Sequence, residues 1–513
     1  MANSTDLPLV LSGVSAPFSG PTIALTLGAL LLIPAIFKYM KADRIPLINP
    51  PGFFQLSLQK KVEFSTKGVH YFFQGRERHP GKPFKLLTNN GVMTILPPEK
   101  AHEIRNLETL DFRKGFCDTI PIGLPGGQAM HVPEHPGEIL QKVCMRDLTK
   151  RLDTFNEALA SETSFAIEKN FGNSAEWTTA PLYMSVVDII VRQSARIFSG
   201  QDLARNEEWL HITKHYTVAA TQLFTTMRGY PSLLRVPAYW LSASGKSFRD
   251  TYARAQQLLN PMLAARQQER QKCARSGTPQ PVYDDAFGWL EREGGTIEPV
   301  DFQLAISFAA IHTTSDLLAQ TMLCLAANPA CVDELREEML RVLPVHGLKK
   351  TGLSALRLLD SAIKESQRLK PLQIVTMQRL VMAKTTLSDG TTLRKDERVA
   401  IDATKVWDES KHPNPKTFDP HRFNNNDPKS SLVSAAADHL AWGYGKYVCP
   451  GRFFAANEIK IALCHLLLKY DWKLEEGSAL EPFYIGTDPM VNPFAKFVFR
   501  RRAEEVDLGS LQW

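Results

Sequence analysis

The strongest constraint on this chain lies between Pro299 and Asn328, a mostly apolar run with no helix breaker inside it. Pro299 suits the first turn of a helix, and Asn328-Pro329 ends one. Apolar residues fall on every face of that helix, so no face of it belongs in water. The spacing predicts a central buried helix that the rest of the chain must wrap. Wrapping it takes many further apolar segments, and 44% of the 513 residues are hydrophobic against 22% charged. That composition is too apolar for a disordered chain and too poor in glycine for a fibrous one.

The remaining segments supply the wrapping. Residues 138–170 and 180–198 have helical periodicity, as do Leu353 to Lys370, stopped by Pro371, and Arg452 to Tyr470. Gly91 to Pro97 reads as a short strand, and Thr385 to Arg394 as a hairpin turning at Asp389-Gly390. Cys273 to Tyr283 reads as a polar surface loop, and 403–448 as a long irregular region. The expected fold is mainly α with small peripheral β-sheets. Length alone allows about two to four domains, but the motifs below draw on most of the chain and predict one.

Leu7 to Phe37 contains no charged residue, and Lys38, Lys41 and Arg44 follow it. Thr22 to Met40 makes a helix of about 19 residues, roughly 28 Å, enough to cross a bilayer. With no basic residue ahead of the segment, the positive-inside rule places the N-terminus in the lumen and the rest in the cytosol. A cleaved signal peptide is the rival, but it lacks a basic start. The expected organisation is a lumenal tail (1–20), a transmembrane anchor (21–40), a Pro-rich linker (41–52) and one catalytic domain (53–513).

The net charge is +6 on 60 basic and 54 acidic residues, with no long basic tract. That argues against nucleic-acid binding and leaves room for a local basic face that docks an acidic protein. The seven cysteines are odd in number and form no C-x-x-C pair, which argues against a disulfide framework or a structural zinc site.

One cysteine stands apart. In Ala441-Trp-Gly-Tyr-Gly-Lys-Tyr-Val-Cys-Pro-Gly-Arg452, two glycines allow a tight loop that can approach a flat ligand. Cys449 sits just before a helix, whose free amides are expected to lower its pKa toward thiolate. A thiolate on a rigid loop is a good axial ligand for haem iron. Glu365-Ser-Gln-Arg368 puts a carboxylate and a guanidinium on one helix face. On the long helix, Ala309 and Ala310 are small enough for close approach to a ligand, and the Thr313 hydroxyl can bond the carbonyl four residues back.

With Phe418-Asp-Pro-His-Arg-Phe423, these motifs in this order resemble the cytochrome P450 superfamily, over roughly residues 45–500. Its haem loop reads F-x-x-G-x-R-x-C-x-G; here the positions hold Trp442, Gly445, Tyr447, Cys449 and Gly451. The resemblance implies haem b with Cys449 on the iron and Gly445 in the cradle. It implies Arg379 on a haem propionate, helped by Tyr447 and Lys446 where the family has a basic residue. It implies a structural cluster of Glu365, Arg368 and Arg422, and Thr313 as the proton-relaying alcohol of oxygen activation. His312 stands where the family usually has an acid; imidazole can also move protons. The wording around His312 and Cys449 is similar to the fungal microsomal branch that tailors terpenoids and related secondary metabolites.

The resemblance further implies a monooxygenase of the endoplasmic reticulum membrane. It would act on a lipophilic small molecule, with electrons from NADPH through NADPH-cytochrome P450 reductase. Lys446, Arg452 and Lys460, with Lys142, Arg146, Lys150 and Arg151, are the expected docking face. Loops within 110–130 and 215–245 are expected to set the substrate, with Phe224 and Met227 as candidate lining. The rivals are a haem-thiolate isomerase or dehydratase that needs no reductase, and a non-catalytic haem- or lipid-binding membrane protein.

Overall fold

The computed structural model describes residues 45–511, apart from 53–54, 56, 119–120, 122, 295–296 and 479–480. The expected tail, the anchor at 21–40 and residues 41–44 of the linker lie outside the described residues. Among the described residues no helix is long and apolar enough to cross a membrane. The described residues from Leu47 onward form one unit.

In chain order the elements that matter here are helix α1 (Ser57–Arg78), strands β1 (Phe84–Thr88), β2 (Gly91–Leu96) and β3 (Leu110–Asp111), and helices α2 (Phe112–Cys117), α3 (Leu152–Phe171), α4 (Leu182–Phe198), α5 (Glu207–Gly229), α6 (Ser232–Leu241), α7 (Ala243–Ser276), α8 (Pro299–Ala326) and α9 (Arg357–Leu369). Strands β4 (Val375–Val381) and β5 (Arg398–Asp402) and helix α10 (Arg452–Lys469) follow.

The long apolar run is α8, and it is central. Phe302, Leu304, Leu318, Ala319, Met322 and Leu325 are each fully buried, against α4, α5, α9 and α10. Pro299 stands in its first turn, where no amide donor is needed. At the other end the Asn328 amide donates to the Cys324 carbonyl at 2.8 Å, and Pro329 opens the next helix.

A five-stranded mixed sheet in the order β1-β2-β5-β4-β3 lies apart from this bundle core. The β4–β5 register slips between Thr376 and Arg379, where Met377 has φ +50°. A bulge of this kind re-aims a strand, and here it precedes Arg379.

Several expected elements break where tertiary partners intervene. Residues 138–170 hold a short helix (Ile139–Val143), a π-turn (Cys144–Leu148) and a 3-10 turn (Thr149–Arg151) before α3 begins. The Thr149 hydroxyl donates to the Cys144 carbonyl at 2.8 Å, giving that carbonyl a partner outside the regular ladder. The helix expected from 353 to 370 restarts at Arg357, because the buried Glu338 carboxylate accepts the Leu358 and Leu359 amides at 2.8 and 3.0 Å. Free amides at a helix start favour such an anion. The polar stretch at 273–283 begins as the last turn of α7, which ends at Gly277 with φ +69°. Residues 215–245 are mostly helix, α5 and α6, rather than loop.

Candidate active site: the Cys449 loop, a bare stretch of the central helix and an unpaired arginine

The loop before α10 is closed by its own backbone. The Cys449 amide donates to the Trp442 carbonyl at 2.8 Å and the Val448 amide to the Gly445 carbonyl at 3.0 Å. Arg452 pins it from below, donating to the carbonyls of Cys449 at 2.9 Å and Val433 at 3.0 Å. Trp442 donates its indole N–H to the Leu432 carbonyl at 2.7 Å. Gly445 has φ +78°, and a Cβ there would sit 2.5 Å from the Arg105 Cβ. Both its conformation and its neighbours demand glycine.

The helix start acts on the Cys449 thiol in the direction its position predicts, and burial acts against it. Burial pushes the thiol above its ordinary value, and the Gly451 and Arg452 amides and the Arg452 charge only offset part of that. Desolvation outweighs two amides and a guanidinium bonded to loop carbonyls. A coordinated metal ion deprotonates a thiol outright, and the same amides then hold the charge on sulfur.

Helix α8 is bare at one place. Ala309 and Thr313 are exposed on a helix buried almost everywhere else, and they lie one turn apart on the same face. The Thr313 hydroxyl donates to the Ala309 carbonyl at 2.8 Å. His312 points elsewhere, about 100° around the helix. Its Nδ1 lies 3.3 Å from the Tyr183 hydroxyl on α4, and the two rings stack at 6.5 Å. Burial lowers the imidazole pKa, with the Lys214 backbone acting weakly the other way, so the ring is neutral near pH 7.

Arg379 is 4% exposed, yet its Nε and one terminal nitrogen have no partner among the described residues. The third nitrogen donates to the Gln378 carbonyl at 2.8 Å. Its guanidinium lies 4.6 Å from the Tyr447 ring and 5.7 Å from the Phe112 ring. Burial draws its pKa down to about 10. A desolvated guanidinium without a carboxylate is costly, and an anionic ligand group would complete it. The Tyr447 ring also has Arg113 at 5.7 Å and Lys446 at 5.4 Å, while Lys446 itself is exposed.

A line of rings joins this arginine to the bare stretch of α8. Tyr447 meets Phe112 at 6.0 Å, Phe112 meets Phe116 at 6.1 Å, and Phe116 meets Phe308 at 6.2 Å. Phe224 of α5 meets Phe116 at 5.9 Å. Met227 is fully buried. Phe112, Phe116, Phe308, Arg113 and Tyr183 were missed in the sequence, because isolated aromatic residues on separate segments carry no spacing signal.

Glu365, Arg368 and Arg422 meet. Arg368 grips Glu365 through two nitrogens at 2.7 and 2.8 Å, and the Arg422 Nε bridges both oxygens at 3.0 and 3.1 Å. Arg368 then donates to the carbonyls of Val406 and Pro415, and Arg422 to that of Pro413. The cluster thus fastens α9 to the irregular chain that leads to Cys449. One expected docking residue does not qualify. Lys460 is 7% exposed and is tied to the Leu353 carbonyl at 2.9 Å and to Asp360 at 2.5 Å; α10 is buried at that position.

A thiol-bearing loop, a wall of small residues and an unpaired buried cation together fit a flat dianionic macrocycle with a metal at its centre. The comparisons agree. A family model described as Cytochrome P450 matches residues 194–497. Cytochrome P450 monooxygenase hepE of Aspergillus oryzae is 37% identical over 496 residues, covering 94% of this chain and 90% of that protein. Cytochrome P450 monooxygenase eqxH of Fusarium heterosporum is 36% identical, covering 94% and 95%. Dihydromonacolin L monooxygenase LovA of Aspergillus terreus is 32% identical, covering 96% and 95%. Retinoic acid bound cyanobacterial CYP120A1 shares the fold, with TM-score 0.67 over 89% of this chain and 100% of that one at 18% identity. Near-complete coverage at this identity, on top of that site, means that the chain belongs to the cytochrome P450 family, the haem-thiolate monooxygenases.

Proposed function

We propose that this chain is a membrane-anchored monooxygenase of fungal secondary metabolism. It acts on a lipophilic small molecule of terpenoid or related type, with electrons from NADPH through NADPH-cytochrome P450 reductase. The observation that carries the reading is the bare face of Ala309 and Thr313 in the middle of an otherwise buried helix, beside a wall of phenylalanine rings. That wall offers an apolar molecule a dry place next to the one hydroxyl on the face.

Bound through Cys449, haem b supplies the oxygen chemistry: one atom of O2 enters the substrate and the other leaves as water. Gly445 and Arg452 shape and brace the thiolate loop, and Arg379, with Tyr447 and Lys446 beside it, would hold the propionates. Thr313 holds and passes a proton at its Oγ1. His312 is neutral and turned toward Tyr183, so its part in proton transfer would be indirect, through α8. Phe116, Phe224 and Phe308 exclude water from the reacting bond.

The anchor at 21–40 is part of the reading, with the linker at 41–52 and the catalytic domain at 53–513 on the cytosolic side of the endoplasmic reticulum membrane. An apolar surface supports membrane contact. Leu233 and Leu241 of α6 are 86% and 87% exposed, and Leu234, Val236 and Trp240 are exposed beside them. A patch of this kind marks contact with a partner or a membrane.

The reduced protein treated with carbon monoxide should absorb as a thiolate complex, and Cys449→Ser should abolish that band. Reconstitution with reductase and NADPH should then turn over terpenoid precursors. A thiolate band that survives Cys449→Ser would end the proposal.

A further inference from the structure

We infer that the substrate carries an anionic group, a carboxylate in the simplest case, and that Arg228 receives it. The inference rests on the monooxygenase reading and names the substrate class for that same site.

Arg228 occupies the last turn of α5, one turn beyond Phe224. Its guanidinium lies 5.3 Å from the Phe224 ring, which touches Phe116, which touches Phe308 beside the bare face of α8. The charge therefore stands at the far end of the aromatic wall from Thr313. Its Nε is buried with no hydrogen-bond partner, and its guanidinium makes no ion pair among the described residues.

The surroundings favour an incoming anion. Arg398 and Arg235 are both within electrostatic reach. Of the two acids nearby, Asp118 is already committed: Arg398 pairs with its carboxylate, and Arg235 donates to its carbonyl at 3.2 Å. Arg235 also has a buried Nε without a partner. The other acid, Asp488, has an unpartnered buried oxygen and is pushed up to about 7 by burial, against Gln373, Arg228 and Thr487. Arg228 and Arg235, each with a buried Nε that has no partner among the described residues, and Arg398, paired with Asp118, gather positive charge at this end of the aromatic wall. A guanidinium fork matches a carboxylate in geometry as well as charge.

The test uses full-length holoenzyme and probes that report their own binding. In a series of ω-imidazolyl alkanoic acids of increasing length, with the matching ω-imidazolyl alcohols, the imidazole binds the haem iron and shifts the Soret band. At one chain length the acid should bind about tenfold or more tightly than its alcohol. Arg228→Gln should remove that advantage while leaving alcohol binding intact, and Arg228→Lys should restore part of it. Acid and alcohol binding alike at every length, or an acid advantage that persists in Arg228→Gln, would overturn the inference. Loss of the Soret shift for both probes together with the carbon monoxide band would instead indict the haem-thiolate reading.

Discussion

Gly445 shows how much of the site hangs on single atoms. Its φ of +78° and the Arg105 Cβ that an added methyl would meet at 2.5 Å both forbid a side chain. Gly445→Ala should cost about 1–3 kcal/mol in backbone strain alone, plus the clash. The expected readout is a lower haem content per mole of protein, with thermal unfolding moved down. Thr313 is a different case, since its hydroxyl spans only one helix turn and holds no other element. Thr313→Ala should leave the haem spectrum and stability nearly unchanged, while less of the NADPH consumed appears as product and more as peroxide. Equal coupling of NADPH to product in the variant would remove Thr313 from proton delivery.

Helix α9 and helix α10 carry the structural load of the site from opposite sides. Glu365 and Arg368 are 0% and 1% exposed, so removing one partner strands the other charge. Arg368→Leu should destabilise by about 3–5 kcal/mol, seen as failure to retain haem at growth temperature. On α10, His465 is 3% exposed, neither ring nitrogen has a partner among the described residues, and burial pushes its pKa down to about 3. The unfolded chain takes up a proton there below about pH 6.5, while the native chain refuses it until about pH 3. Stability therefore falls as pH drops through that window, by up to about 1.4 kcal/mol per pH unit from this residue. His465→Leu should flatten the acid limb of a denaturant-midpoint-versus-pH curve. An unchanged slope would mean that the ring is protonated in the folded protein.

At the scale of the molecule, docking of a reductase depends on which charges reach the surface. Lys460 is withdrawn into the core and Arg452 is occupied by loop carbonyls, whereas Lys446, Arg146 and Lys150 are exposed and Lys142 is half-buried. Arg146 already pairs with Glu293 at 2.6 Å, so reversing it also releases an acid at the same face. Lys142→Glu with Arg146→Glu should raise the reductase concentration needed for half-maximal turnover, with less effect at high salt. No change at low salt would place the docking face elsewhere.

Much of this was readable in the sequence, for a physical reason. The buried character of α8 follows from apolar residues on every face, the Cys449 loop from two glycines and a cysteine before a helix, and the Glu365–Arg368 pairing from helical spacing. All of these are local, set by backbone geometry within a few residues. Tertiary structure decided the rest, because burial and charge compensation belong to surroundings drawn from distant segments. Glu338, from the helix Pro329–His346, restarts α9 at Arg357. Burial raises the Cys449 thiol against its own helix start and keeps His312 neutral beside Tyr183. Only the family resemblance singles out Arg379 in the sequence, and nothing there singles out Arg228; the packing around them removes water and leaves the Nε of each without a partner among the described residues, a place for a ligand's anion to fill.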